Sequence, residues 1–172
     1  KAEQNLLLAL ILYVQSMRDL ITNELLPIHE RSLGTIYKML STEGAKSLDM
    51  KFQKLPLDHP ARAPFNLFSQ SSDTVKSGII LGLGTRLQVL QNKAVQRITS
   101  SSDIDLVAPA KKKCVYYIIL SDQDATMSFL SSLFFSCMFI KLSRFADVQP
   151  GGRCPVPVNL ILDEFNNVGR IG

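Results

Sequence analysis

Residues 158–172 read VNLILDEFNNVGRIG. Four of the first five are apolar, and two adjacent carboxylates, Asp163 and Glu164, follow them directly. A short run of Val, Leu and Ile that ends at polar residues is typical of a strand buried on both faces of a parallel sheet. This pattern predicts a strand over 156–162 that delivers two acids at its carboxyl end.

A second run of the same kind lies upstream. Residues 114–120 read CVYYIIL, a continuous β-branched and aromatic stretch that also predicts a doubly buried strand. Between the two runs, residues 125–145 are apolar on most sides and predict a long helix. Strand, helix and strand in this order form a βαβ unit with a right-handed crossover and parallel strands.

The first hundred residues instead show helical periodicity. Helices are predicted over 6–26, 30–41 and 73–92. Gly78, Gly82 and Gly84 are unfavourable inside the third helix, and close packing of another helix over them is the expected reason. The predicted fold is an all-helical domain over 1–105, followed over 106–172 by a βαβ slice of an α/β sheet, mainly α overall.

Composition sets limits on function. Hydrophobic residues make up 46% and charged residues 20% of the chain, which is the composition of a globular protein with a core. A net charge of +4 permits contact with nucleic acid or an acidic membrane surface and establishes neither. The three cysteines form no C-x-x-C pair, so we expect reduced thiols and no metal site. The longest apolar run, 6–14, is too short to span a bilayer.

The acidic pair has the Walker B pattern of P-loop NTPases. In that pattern the first acid holds Mg²⁺, usually through water, and the second polarises a water for attack on phosphate. The alternative is an ordinary strand whose terminal acids simply meet water. The phosphate-binding motif G-x-x-x-x-G-K-[ST] is absent from the sequence, because none of its glycines is followed by Lys.

Three stretches carry a family resemblance. They are TRLQVLQNKAVQRITSSSDIDL (85–106), KKKCVYYIILSDQDATMSFLSSLFF (111–135) and VNLILDEFNNVGRIG (158–172). Together they resemble the TraG-like coupling proteins of type IV secretion and conjugation, which are related to the FtsK and HerA translocases. The resemblance implies a membrane-anchored hexameric ATPase that recruits relaxase-bound DNA to a secretion channel. It also implies a RecA-like nucleotide-binding domain with an all-helical domain inserted into it for choosing substrates.

The resemblance assigns roles to the acidic pair. Asp163 matches the Mg²⁺-associated acid and Glu164 the catalytic acid, with ATP and Mg²⁺ as cofactors of the full-length parent. The family's phosphate loop lies upstream of the insertion, so we expect this chain to be a piece of a longer protein. We therefore expect the piece to be a soluble monomer without bound nucleotide or ATPase activity. Its parent is expected at the cytoplasmic face of the bacterial membrane.

Two kinds of partner are predicted for the helical domain. A relaxase or another relaxosome protein is expected to contact Arg18, the helix near Arg31 and Lys38, or the Pro-rich stretch 55–64. Single-stranded DNA and components of the secretion channel are further candidates.

For direct contact with DNA or a partner, the candidate basic residues are Arg86, Lys93 and Arg97, with Lys76 on the same stripe. Ion pairs on helix surfaces are the alternative explanation for these residues. The alternative function is a stand-alone helical protein-interaction module, or a weak DNA-binding module, with no ATPase role.

Overall fold

The computed structural model describes residues 1–119 and 128–163. The chain divides into two compact units, Lys1–Ser101 and Ser102–Gly172. The first unit contains α1 (Ala2–Gln15), α2 (Leu33–Thr42), α3 (Ala45–Gln53), α4 (Arg62–Ser69), α5 (Asp73–Arg86), a 3₁₀ turn (Gln88–Gln91) and α6 (Lys93–Thr99). The second contains α7 (Ala108–Lys111), α8 (Ser128–Asp147) and a 3₁₀ turn (Pro150–Gly152). The described chain is mainly helical, as predicted.

Helix α1 is the centre of the first unit. Its buried residues Leu6, Leu10 and Val14 recur every four positions and so share one face, and Ala9 lies beside them. This face packs mainly against α4 and also against α5 and α2. A single buried stripe on α1 therefore organises the bundle.

Aromatic rings close the core beside α1. The rings of Phe52 on α3 and Phe65 on α4 are stacked within 5° of parallel, with centroids 3.9 Å apart. Tyr13 of α1 packs against Phe52 at 5.2 Å, and Phe68 packs against Phe65 at 5.4 Å. These contacts fix α3 and α4 against the C-terminal half of α1.

The first helix is shorter than the sequence predicts. The prediction of a helix over 6–26 is wrong, because α1 ends at Gln15 and a tight loop follows. In that loop one carboxylate oxygen of Asp19 accepts hydrogen bonds from the backbone N–H groups of Ile21 and Thr22, each at 2.8 Å. An Asp side chain that binds the backbone two and three residues ahead competes with helical hydrogen bonding.

The third predicted helix is also interrupted. Instead of one helix over 73–92, α5 ends at Arg86, and the 3₁₀ turn leads into α6. Asn92 caps α6, since its side-chain oxygen accepts a hydrogen bond from the N–H of Ala94 at 2.8 Å. This break changes the direction of the chain and places α6 against α2.

Helix α8 dominates the described part of the second unit. Phe135 and Met138 are buried, and four further side chains pack around them: Leu106, Phe134, Phe139 and Leu142. Among the described residues, α8 is long and apolar enough to cross a membrane, judged by length and composition alone. This corrects the prediction that no segment reaches that length. Core helices of water-soluble proteins meet the same criterion, so the finding is weak evidence for a membrane span.

The two predicted strands are not formed in the described residues. Residues 113–119 and 157–162 have no regular secondary structure. Ile119 and Ile161 are 94% and 96% exposed, so burial on both faces is not observed and the βαβ slice is not confirmed in the part of the chain that the structure describes. The physical reason is that a strand needs a neighbour for its backbone N–H and C=O groups, and two strands alone make a poor sheet.

Candidate functional site

The acidic pair lies at the limit of the described chain. Asp163 is exposed to solvent, and Glu164 lies outside the described residues. Within the described ranges, no group of three His, Cys, Asp or Glu residues is arranged to hold a metal ion. The roles of Asp163 and Glu164 therefore remain predictions from the sequence pattern.

The predicted basic stripe is divided by the fold. The guanidinium of Arg86 pairs with the carboxylate of Glu3 on α1, with Nη1 and Oε2 3.0 Å apart. The ammonium of Lys76 is buried and lies 2.9 Å from the Asp49 carboxylate. Both cations link helices within the unit, as the ion-pair alternative proposed. Their charges are already matched, which argues against them as contacts for DNA.

Lys93 and Arg97 have a different environment. Both project from α6 into a groove of about 650 Å³, where Lys38 of α2 joins them. We call this the basic groove. Neutral polar side chains form much of its remaining lining: Ser32, Thr35, Tyr37, Ser41, Gln91 and Gln96.

Local sequence explains how the groove forms. Lys93 and Arg97 are four residues apart and so share one face of α6, while Val95 is buried on the other side. A Cβ atom added to Gly34 of α2 would lie 3.3 Å from Cγ of Gln96. Glycine at this position therefore lets α6 approach α2 closely, which forms the floor of the groove.

Hydrogen bonds hold the groove walls. The amide nitrogen of Gln91 donates to the hydroxyl of Tyr37 across 2.6 Å, which links the 3₁₀ turn to α2. The amide nitrogen of Gln96 donates to the backbone carbonyl of Leu90 across 2.7 Å. Through these two bonds, the 3₁₀ turn connects the groove wall formed by α2 to the wall formed by α6.

The groove has an unbalanced positive charge. Lys38, Lys93 and Arg97 are exposed, and none takes part in an ion pair with another described residue. No Asp or Glu lines the groove within the described chain. At its rim, the His29 ring lies 3.8 Å from the carboxylate of Glu30, and both side chains are largely exposed. A concave surface that carries only positive charge attracts anions.

Two other predicted partner contacts have structural roles. The Arg18 side chain donates to the backbone carbonyl of Asn23 at 2.8 Å. The Arg31 side chain donates to the carbonyls of Leu26 at 2.7 Å and Gln15 at 3.1 Å. Both arginines stabilise the loop after α1, so of the predicted contacts near Arg31 and Lys38 only Lys38 reaches the groove.

Sequence reasoning missed one groove residue. Tyr37 fits the apolar stripe of α2 and reads as a core residue, yet it is only half-buried and its hydroxyl lies on the groove. The sequence signal was weak, because a tyrosine at a stripe position is consistent with either location.

Comparison with known families decides the broader assignment. Over residues 1–172 the sequence matches the family described as type IV secretory system conjugative DNA transfer. The chain belongs to this family. The resemblance to TraG-like coupling proteins is thereby confirmed at the level of the family, which links the chain to DNA transfer through a type IV secretion system. No curated protein and no solved structure matches the chain.

Proposed function

We propose that this chain is part of a membrane-anchored coupling ATPase that recruits relaxase-bound DNA to a type IV secretion channel. The helical unit, Lys1–Ser101, serves substrate or partner recognition in this proposal. The observation that carries it is the basic groove, a concave surface of unmatched charge in a chain that belongs to a conjugative DNA transfer family.

The recognition role is tested by a pull-down of the cognate relaxase on the immobilised 172-residue chain. Retention of the relaxase is expected, and it should fall when Lys93→Glu and Arg97→Glu are combined. A variant with Lys54→Glu is the control, because Lys54 is exposed and does not line the groove. If the full-length protein retains the relaxase and the 172-residue chain does not, recognition lies elsewhere in the parent.

For the second unit we propose that residues 156–162 become a strand in the nucleotide-binding sheet of the parent. Support comes from the apolar side chains Leu160, Ile161 and Leu162, which are between 41% and 96% exposed here. Exposed apolar segments of this kind generally mark surfaces that another structure covers. In the completed sheet, Asp163 would help hold Mg²⁺ through water and Glu164 would position the attacking water on ATP.

The ATPase proposal is tested in the full-length protein with Glu164→Gln. We expect ATP turnover to fall by about 100-fold or more, the size of a typical general-base contribution, while nucleotide binding is retained. Glu24→Gln is the matched control, since Glu24 is exposed in the helical unit. Unchanged turnover in Glu164→Gln refutes the catalytic role.

Without a phosphate loop, the two carboxylates would repel a triphosphate rather than bind it. We therefore propose that the 172-residue chain neither binds nor hydrolyses Mg-ATP. We also propose that this chain is a monomer while its parent forms a hexamer. Calorimetric titration and light scattering measure the two properties. Micromolar binding of Mg-ATP by this chain would overturn the assignment of the cofactor site to the rest of the parent.

A second candidate function is a helical interaction module, or a weak DNA-binding module, with no ATPase role. The three cations of the groove, none of which forms an ion pair with another described residue, favour it as well. A gel-shift assay with single-stranded DNA at low salt separates the two versions, because binding that rests on phosphate contacts weakens steeply as salt rises.

A further inference from the structure

We propose that the basic groove binds an acidic segment of a protein partner, with Lys38, Lys93 and Arg97 holding its carboxylates. This inference rests on the proposed recognition role of the helical unit and names the chemistry of what that unit recognises. The site is built from two helices, α2 and α6, that come together at Gly34 and Gln96.

The first argument is electrostatic. Lys38 on α2 and the pair Lys93 and Arg97 on α6 face one concavity, and no carboxylate of the described chain lines it. Arg97 offers a planar guanidinium that can bind a carboxylate through two parallel hydrogen bonds, whereas each lysine acts as a point charge. This combination suits several closely spaced carboxylates better than it suits a single anion.

The second argument concerns the hydroxyl at the groove wall. The Tyr37 hydroxyl accepts a hydrogen bond from the Gln91 amide at 2.6 Å, which leaves its own proton to donate. A carboxylate or a peptide carbonyl is a suitable acceptor for that proton. The wall is thus fixed in place before a ligand arrives, which lowers the entropic cost of binding.

The third argument favours a peptide over single-stranded nucleic acid. Proteins that bind single strands combine a positive groove with several aromatic side chains on which bases stack. Tyr37 is the one Phe, Tyr or Trp side chain in the described lining of this groove, and the imidazole of His29, the other ring there, is largely exposed at the rim. The phenylalanines Phe52, Phe65 and Phe68 are buried in the core of the unit. The site therefore has the charge that an anion requires and lacks a platform for stacked bases.

The test is fluorescence anisotropy with the complete 172-residue chain. One probe is a short fluorescein-labelled polyglutamate peptide, and the other is an oligothymidylate of the same total charge. We expect the peptide to bind at low salt, and to bind about tenfold more weakly to a chain carrying Lys93→Glu and Arg97→Glu. The control chain carries Lys46→Glu and Lys54→Glu, which change the net charge equally at exposed sites outside the groove lining.

Circular dichroism shows whether each variant keeps its helices, and a milder Lys38→Met variant serves as a second test should the double variant unfold. A loss of peptide binding confined to the groove variants supports the proposal. Three results overturn it: no peptide binding, equal weakening by the control variant, or tighter binding of oligothymidylate than of peptide with the same sensitivity to the groove variants.

The assay is independent of ATP turnover. If the peptide does not bind but the pull-down still retains the relaxase, the groove is excluded as the binding site and the recognition role of the helical unit stands. Conversely, peptide binding without relaxase retention would support the groove and refute the proposed choice of partner.

Discussion

At the residue scale, the ion pair between Lys76 and Asp49 is a structural device. Lys76 is only 6% exposed, and its ammonium lies 2.9 Å from the Asp49 carboxylate. The other carboxylate oxygen of Asp49 is buried without a hydrogen-bond partner in the described chain. A buried pair with an unsatisfied atom stabilises the fold little, yet removing one partner leaves the other charge buried alone.

We therefore expect Asp49→Ala to destabilise the helical unit by about 3 kcal/mol, because the Lys76 charge is left inside the protein with only the more distant and largely exposed carboxylate of Asp73, at 3.9 Å, beside it. The double variant of Asp49→Ala with Lys76→Met should be more stable than the sum of the two single effects predicts. Urea denaturation followed by circular dichroism measures the free energy of unfolding of the unchanged chain, the two single variants and the double variant. The exposed pair of Lys111 and Asp105 is the control, and no coupling is expected there. Additive effects at Asp49 and Lys76 would contradict the buried-pair account.

The carboxylate of Asp19 stabilises the loop after α1. Hydrogen bonds from the backbone N–H groups of Thr22 and Ile21 to its carboxylate stabilise the charged form and lower the pKa of Asp19 below its usual value of 3.8. A group whose pKa is lower in the folded state adds stability above its unfolded pKa and loses it as the pH falls through the folded pKa. The loop after α1 should therefore loosen only in acid, below pH 3.8.

NMR detects this directly. The amide proton shifts of Ile21 and Thr22 are expected to titrate together, with a midpoint below 3.8. In Asp19→Ala that titration should vanish, while the helices of the bundle remain. A midpoint at or above the usual value for Asp would show that the loop hydrogen bonds do not form in solution.

At the element scale, the glycines of α5 separate into two kinds. A Cβ atom at Gly82 would lie 2.9 Å from the carboxylate oxygen of Glu3, whereas Gly78 and Gly84 have nothing within 4 Å. The expected close packing of another helix therefore holds at Gly82 alone. Gly78 and Gly84 lower the helix propensity of α5, and the structure shows no packing reason for glycine at either position.

This difference predicts unequal outcomes for the same substitution, glycine to alanine, at Gly78 and Gly82. Gly78→Ala should stabilise the unit by up to about 1 kcal/mol, because alanine is the better helix former and meets no neighbour. Gly82→Ala should gain much less, because Glu3 must move away and its ion pair with Arg86 is disturbed. Thermal unfolding measures both variants, and Gly82→Ala repeated in a Glu3→Ala background should recover the gain. Equal stabilisation by the two single variants would exclude a close contact at Gly82.

The sequence predicted α8 well, because a long stretch that is apolar on most sides favours a helix, and it placed the start of α5 correctly but extended that helix past its end at Arg86. It misplaced the end of α1, since the hydrogen bonds of Asp19 to the loop depend on a local geometry that periodicity does not register. It also grouped Lys76 and Arg86 with Lys93 and Arg97. Only the fold shows that the first two have acidic partners far away in sequence. Residues 114–120 were predicted as a strand from composition, but a strand also requires a neighbour that the sequence pattern alone does not supply.

At the scale of the whole molecule, the exposed apolar segments carry the strongest consequence of the proposed function. Ile119 is 94% exposed and Ile161 is 96% exposed in this chain. If both belong to buried strands of the parent's sheet, as we propose, a substitution at either position must have different effects in the 172-residue chain and in the full-length protein. A charge added at an exposed position costs little, whereas a charge buried without a partner costs several kcal/mol.

We therefore predict that Ile119→Lys combined with Ile161→Lys leaves the 172-residue chain a monomer with unchanged helix content. The same pair of substitutions in the full-length protein should abolish folding of the nucleotide-binding domain and ATP turnover. Sedimentation velocity measures the first effect, and ATP hydrolysis with limited proteolysis measures the second. Leu57→Lys is the matched control, because Leu57 is 88% exposed in the helical unit and should tolerate the charge in both settings. A full-length protein that hydrolyses ATP normally with both lysines would mean that these segments stay exposed in the parent, and the βαβ proposal would then be wrong.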